Sequence, residues 1–571
     1  MHVFRDGRAR STRGRWIGRM AMLAVLATSA GAALAQPAEP PAVRLTQPLM
    51  KGWQFVQDDA LSELAALTGG GQGWRQVDLP HTWNAQDAAS LRAVGYKRGL
   101  GWYRLQFAAP RQGARHWLEF GAASLVADVW LNGKLLGQHK GAFTAFRFDV
   151  TDVLTGDGIN RLLVKVNNSA PKDDDDLTAI PPMRGDFNVS GGLYRHVALI
   201  STPEPAHFAL DDMGGPGVYA TTTALADDRA MVQVRAKLSR AEIPAGQQYV
   251  ETAGDTYLVR FSLLDATGKT VARAEELATL PPDADAEVIG TLNVDAPRLW
   301  QGIADPHQYR LVADLARSVG PTIDSVTQHF GIRQVRFDPE KGLFLNGRHI
   351  GRLNGVGMHQ DLLGKAWAIS NEDMDNSLAV IREMGANAVR FAHYPYGQYA
   401  YQRATELGLV VWAEAALGIF TRVNRCSRED PTDMFVASAK QQLRELIRQN
   451  YKPCFHCNVG HRQRIDPGTA QLRAALRQRE TAPPRDARHG QQGGYESPHS
   501  VFRVSAPDRA IRAFCHRRHH RPVRDQPVLP LVHAGVRGIL TVARQLADEV
   551  AEAAAQRLRI RRRRGADPPH R

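Results

Sequence analysis

SNEDMDNSLAVIREMGANAVRFAHYPYGQYAYQRATELGLVVWAEA, residues 370–415, is the stretch whose reading decides the fold class. Ser370 and Asp373 have capping-box spacing, Met374, Leu378 and Ile381 fall on one helical face, and Gly385 supplies a stop, so the stretch opens as a helix. NAVRFA then reads as a strand, QYAYQRATELG as a second helix and LVVWAEA as another strand. This alternation is the signature of a parallel sheet or barrel. A further helix, DMFVASAKQQLRELIRQNY, ends at Tyr451. About three βα units are therefore expected, where a closed barrel needs eight.

Toward the N-terminus the pattern changes to short β-type runs. GWYRLQF, HWLEFGAA, VADVWLNGKLLGQ and NRLLVKVNN alternate with turn residues between about 45 and 200, which predicts a β-sandwich. Asn132-Gly133 lies between two apolar runs, where a type I′ hairpin requires positive φ at both central residues. MVQVRAKL, TYLVRFSLLD and QYRLVADLA continue the style up to FGIRQVRFD, predicting a second sandwich of immunoglobulin size. Neither region carries helical periodicity. The fold class expected is multidomain β plus α/β: a jelly-roll sandwich, an immunoglobulin-like sandwich, a truncated (β/α)8 barrel and an irregular basic tail.

Composition separates the body from that tail. The 571 residues hold 72 Lys and Arg against 58 Asp and Glu, but residues 452–571 contain 24 of the former and 10 of the latter. The preceding 451 residues carry 48 of each, so the body has no net field to attract a polyanion. Nucleic acid is not an expected partner, and RIRRRR at 559–564 reads as a solvated charge run. At the other end, basic residues precede MAMLAVLATSAGAALA, a run too short for a confident membrane span, and Ala33 and Ala35 give an A-x-A cleavage pattern before Gln36. A secretory signal is expected, with a periplasmic or secreted product and no membrane attachment after cleavage. No cysteine precedes Cys426, so the body needs a large apolar core and not disulfides.

Candidate chemistry lies at the carboxyl ends of the expected barrel strands, where βα loops share one mouth. NGVGMHQD carries His359, VRFAHYP carries Arg390, His393 and Tyr394, and VVWAEAA carries Trp412 and Glu414. A lone histidine is ordinarily structural; its recurrence at successive strand ends raises the weight of a ligand role. Glu414 reads either as a general acid or sugar-hydroxyl acceptor, or as half of a structural ion pair.

These residues resemble glycoside hydrolase family 2, and its β-galactosidase branch in particular. LPHTWN (79–84), GWYR (101–104), VWLNGKLLGQHKGAFTAFRFDVTDVL (129–154), GDFNVSGGLYRHV (185–197), FGIRQVRFDPEKGLFLNG (330–347), GVGMHQD and NAVRFAHYP follow the family's order. The resemblance implies a retaining hydrolase with a jelly-roll, an immunoglobulin-like domain and a catalytic (β/α)8 barrel. It also implies that Asp186 reaches from the jelly-roll toward the sugar, that His359, Arg390 and His393 bind hydroxyls around the terminal ring, with Tyr394 beside them, and that Glu414 is the acid of the third strand. EAALG lacks the acid and histidine that would ligate magnesium there, so no metal and no cofactor is expected. The acidic run at 173–176 lacks the loop-closing glycine and ligand spacing of a calcium site.

A retaining glycosidase needs two carboxyl groups about 5–5.5 Å apart, an acid/base and a nucleophile. By the resemblance both lie beyond Tyr451, the first in a W-x-x-G-N-E strand. This chain instead has NYKPCFHCNVGHRQRID at 450–466. Val459 to Ile465 can be encoded by GTG GGC CAT CGG CAA CGA AT, and reading from the second base gives Trp-Ala-Ile-Gly-Asn-Glu. The same shift lets HRPVRDQPVLPLV at 520–532 encode TDLYGTNRYFLWY, which resembles a later N-x-Y-x-x-W-Y segment of the family. A frameshift is the expected origin of the tail. Under it, the partial zinc pattern of Cys454, Cys457 and His461 is accidental.

The expected organisation is thus a signal peptide (1–35), a sugar-binding jelly-roll (36–203), an immunoglobulin-like sandwich (204–336), the first part of a catalytic barrel (337–451) and an out-of-frame tail (452–571). The expected ligand is a terminal β-galactoside of an oligosaccharide or glycoconjugate, with no catalytic carboxylate retained in frame. The rival readings are a non-catalytic carbohydrate-binding protein and a β-glucuronidase or β-mannosidase of the same family.

Overall fold

The computed structural model describes residues 43–451 apart from 88–95, 109–112, 157, 170–179, 181–186, 227, 242–255, 319, 339 and 417–432. The expected signal, the acidic run at 173–176, Asp186 and everything from 452 onward lie outside the described residues.

The first sandwich is made of two antiparallel sheets. Strands β1 (Leu45–Pro48), β2 (Trp53–Gln57), β3 (Arg75–Val77), β4 (Leu100–Ala108), β5 (Arg115–Phe120), β6 (Val126–Leu131), β7 (Lys134–Lys140), β8 (Phe146–Asp149), β9 (Ile159–Asn167) and β10 (Val197–Thr202) form a six-stranded sheet, β3-β2-β4-β9-β6-β7, and a four-stranded sheet, β1-β10-β5-β8. Trp53, Phe55, Tyr103, Leu118, Phe120 and Val164 are buried between them, each contributing on the order of 1.5–3 kcal/mol by leaving water. Asn132 and Gly133 adopt φ of +51° and +84°, the primed turn that lets β6 pair with β7. A five-residue helix, α1 (Glu63–Leu67), also occurs here, capped by the Ser62 side chain on Ala65 N. It is too short for its periodicity to register in the sequence.

Three motifs of this sandwich converge on one indole. A methyl group on Gly191 would stand 1.9 Å from Trp83 and one on Gly101 2.4 Å from it, so Trp83 is sandwiched where only glycine backbone fits. Thr82 Oγ1 donates to Gly191 O at 2.6 Å, and Gly191 N donates to Asn84 Oδ1 at 2.8 Å. The loop that begins at Phe187 is thereby fixed to the sandwich.

The second sandwich contains β11 (Ala206–Phe208), β12 (Val218–Leu225), β13 (Arg229–Arg240), β14 (Thr256–Leu264), β15 (Thr270–Thr279), β16 (Ala284–Asp295), β17 (Tyr309–Arg317) and β18 (Thr322–Phe330). In one sheet β13 pairs with β11, β12 and β16; the other runs β15-β14-β17-β18. Strict alternation along β13 and β16 sends Val232, Val234, Leu292 and Val294 into the core. A small antiparallel sheet of β19 (Val335–Asp338), β20 (Gly342–Leu345) and β21 (Arg348–His349) leads to the barrel.

In the barrel portion β22 (Gly355–Met358), β23 (Ala388–Phe391) and β24 (Val410–Ala413) form a parallel sheet, β22-β23-β24, linked by α2 (Asn371–Glu383) and α3 (Gln398–Glu406) and followed by α4 (Asp433–Gln449). Ser370 and Asp373 form the expected reciprocal cap, and Gly385 takes φ +80° after the helix. Val389, Phe391, Val411 and Ala413 pack into the same cluster as Met374, Leu378 and Ile381 of α2. By strand alternation Arg390, Trp412 and Glu414 point to the opposite face, the barrel interior.

That cluster crosses into the first sandwich. Phe143 lies parallel to Tyr394 at 4.3 Å and 4.8 Å from Trp367, which is 5.3 Å from Tyr194. Replacing Phe143 with Leu is expected to cost about 1.5 kcal/mol through lost ring contacts, read as a lowered urea midpoint of the barrel transition. The last turn of α4 reaches both sandwiches. Glu445 Oε1 lies 3.1 Å from His139 Nε2, and its Oε2 accepts from Thr144 Oγ1 at 2.5 Å. Gln449 exchanges hydrogen bonds with Ala145 and donates to Met213 O at 2.8 Å, while Tyr451 meets Tyr219 edge-on.

The sandwiches also set an acid response. Burial, with help from Arg75, lowers the His81 pKa to about 4, and burial lowers His207 likewise to about 4. Each is neutral in the fold while the unfolded chain takes up its proton below about pH 6.5, so stability is lost as pH falls from 6.5 toward 4. Burial raises the Glu119 pKa, but Arg147 and His196 outweigh it and hold the carboxyl at about 2. Protonating it on unfolding extends the loss below pH 4.5. Melting temperature against pH is expected to fall throughout this range, with a shallower slope between 6.5 and 4 in His81→Phe.

Candidate active site

The parallel register puts Gly357, Arg390 and Trp412 in one row, and Glu414 follows two residues beyond Trp412. Glu414 is only 1% exposed. Its carboxylate accepts from Arg390 Nε at 2.8 Å and Nη2 at 3.1 Å, and from Trp412 Nε1 at 3.1 Å. His393 Nδ1 is 3.0 Å from Glu414 Oε2 and 3.0 Å from Arg390 Nη2. Because a carboxylate only accepts and a guanidinium only donates, a proton on Nδ1 directs that bond to Glu414. Of the two sequence readings of Glu414, the structure shows the ion pair, which lies at the strand ends.

His359 stands across from this cluster, its ring 5.1 Å from His393 and its Nδ1 3.3 Å from the Tyr394 hydroxyl. The Tyr394 ring is fully buried; that burial, reinforced by the Asp361 charge, holds its pKa well above the usual phenol value, so the hydroxyl keeps its proton. The buried Tyr394 hydroxyl meets His359 and accepts from Gln360 N at 3.3 Å. The structure brings His359, Arg390, His393, Tyr394 and Glu414 together, while Asp186 lies outside the described residues.

Phe187, next in the chain, was not singled out by sequence. It reaches from the first sandwich to within 5.1 Å of Tyr394, 5.9 Å of His359 and 6.0 Å of His393, ring to ring. Its place in the FNVSGGLYR loop was legible, but that loop's approach to the barrel was not. Trp412 is 39% exposed, and the Arg390 side chain equally so. The mouth therefore offers a guanidinium, imidazoles and aromatic surface, a set suited to hydroxyl groups and the apolar face of a sugar ring. It does not suit a divalent ion, since Arg390 already places a fixed positive charge on the Glu414 carboxylate.

Comparison with known proteins agrees with this architecture. The "Glycosyl hydrolase 2 galactose-binding domain-like" family matches residues 84–192, "Glycosyl hydrolases family 2" matches 218–333, and "Glycosyl hydrolases family 2, TIM barrel domain" matches 338–461. A β-glucuronidase of Bacteroides fragilis is 37% identical over 381 residues, covering 66% of this chain and 51% of the relative. The β-galactosidase BoGH2A of Bacteroides ovatus is 30% identical, covering 64% and 40%. A crystal structure of Bacteroides uniformis β-glucuronidase superposes with a TM-score of 0.65 at 26% identity, covering 76% of this chain and 50% of that one. The chain spans about half the length of these relatives. Three domain matches in order, over more than half of its residues and over the same two sandwiches and barrel strands, place the chain in glycoside hydrolase family 2.

Proposed function

We propose that this chain binds the non-reducing terminal sugar of a β-glycoside at the mouth of its barrel strands and does not cleave the glycosidic bond. The observation that carries the reading is the state of Glu414. Its oxygens are occupied by Arg390, Trp412 and His393, so it orients its neighbours and is poorly placed to deliver a proton or attack an anomeric carbon. The acid/base is assigned to the alternative frame across Arg464 and Ile465.

For the sugar, the 37% identical relative named β-glucuronidase favours a β-glucuronide. A β-galactoside is the second reading, favoured by the motif resemblance and by the 30% identical β-galactosidase. Export through residues 1–35 belongs to the same proposal, and a mature N-terminus other than Gln36 counts against that cleavage site.

Titration calorimetry of the purified chain with methyl β-glucuronide and methyl β-galactoside tests the reading. Saturable binding of one of them with a roughly millimolar Kd is expected, as befits a monosaccharide at about 0.3 kcal/mol per heavy atom. Turnover of the nitrophenyl glycosides should stay at the buffer rate. Binding of neither sugar, or hydrolysis at the rate of an intact family member, overturns it.

A further inference from the structure

Arg195, in the GGLYRHV motif of the first sandwich, is a cation held by neutral oxygens. Its Nη1 donates to the Phe143 carbonyl and, at 3.4 Å, to that of Gly121, both in its own domain. Its Nη2 donates across the boundary to Gln360 Oε1 at 2.8 Å and Pro395 O at 3.0 Å. The guanidinium lies 5.3 Å from the Tyr194 ring centre. Among the described residues no carboxylate pairs with it.

The two barrel groups it grips belong to different βα loops. Gln360 directly follows His359 at the end of β22, and Pro395 follows His393 and Tyr394 at the end of β23. Gln360 is 3% exposed, and its Oε1 accepts from two donors, Arg195 Nη2 and, at 3.3 Å, Gly397 N. Two donors on one atom fix the amide orientation and leave Nε2 buried with no hydrogen-bond partner among the described residues. An orphaned buried donor is unfavourable, so the local structure holds this geometry against a penalty. Gln360 N also donates to the Tyr394 hydroxyl at 3.3 Å, and the same hydroxyl is 3.3 Å from His359 Nδ1.

We propose that Arg195 is a positioning residue that locks the β22 and β23 loops to each other and to the first sandwich, and so sets the distance between His359 and His393. A planar fork with five donors serves these four oxygens at once, one more than the three donors of a lysine ammonium can. The affinity consequence rests on the sugar-binding reading above; the geometric one does not.

The test is Arg195→Met in the full chain, followed by amide hydrogen exchange without ligand. Exchange at residues 359–361 and 396–397 is expected to quicken about tenfold, while the strands β5 and β10 keep wild-type protection. Gln360→Leu removes one acceptor from the barrel side and should loosen residues 396–397 in the same way, which keeps the test usable if Arg195→Met does not fold. Affinity for whichever methyl glycoside the wild type binds should fall about tenfold in both variants. Unchanged exchange in these loops, or equal loosening throughout the sandwich, overturns the proposal. A wild type that binds neither sugar defeats the functional reading alone, because the exchange result still decides this one.

Discussion

Returning codons 459 onward to the alternative frame will produce a protein that hydrolyses a nitrophenyl β-glycoside at least about 10⁴-fold faster than the present chain, because it regains a positioned general acid/base and its partner nucleophile. General acid–base catalysis alone supplies roughly 10² to 10⁴, and a glycosyl-enzyme pathway cannot start without the attacking carboxylate. The nucleotides themselves give the first measurement. They are expected to read GTGGGCCATCGGCAACGAAT across residues 459–465, up to synonymous changes that preserve Trp-Ala-Ile-Gly-Asn-Glu in the shifted frame. Codons incompatible with that string, or a restored protein without turnover on both the glucuronide and the galactoside, would remove the basis for assigning the proton donor to this position.

Glu414→Ala should be the most damaging single substitution at the strand ends, at about 3 kcal/mol. The acid is buried, and its loss removes the acceptor shared by Arg390, by His393, which is 8% exposed, and by the Trp412 indole N–H. Arg390 can turn partly toward water, which keeps the cost at the lower end of the range for breaking a buried pair. Glu414→Gln retains the size and an acceptor oxygen, so it should cost about half as much. Urea unfolding followed by tryptophan fluorescence measures both. Equal stability of wild type and Glu414→Ala would show that the cluster bears no part of the barrel's cohesion.

Local rules made much of the fold readable. Ser370, Asp373 and Gly385 bound a helix through contacts within a few residues, and Asn132-Gly133 specifies its own turn. The strand-end candidates were readable for a related reason: alternation and parallel register place Arg390, Trp412 and Glu414 on one face once the strands are known. What periodicity could not supply was distance across domains. Phe187 and Arg195 meet groups 165 to 207 positions away, and their loop is held by the Trp83 packing, the glycine backbone beside it and the bonds of Thr82 and Asn84 to Gly191. Whether Glu414 was a free acid or an ion pair likewise depended on where Arg390 ended up, 24 residues earlier.

The closing turn of α4 has a consequence for how this polypeptide tolerates change. Glu445, Gln449 and Tyr451 take hold of both sandwiches before the chain enters its arginine-rich extension. Every group needed for that three-way junction has been synthesised by Tyr451, so what the ribosome adds afterwards can be rewritten without unseating it. On the proposed reading, a shift of reading frame beyond this point costs the chain its hydrolytic groups and leaves the junction that holds the strand-end cluster against the sandwiches.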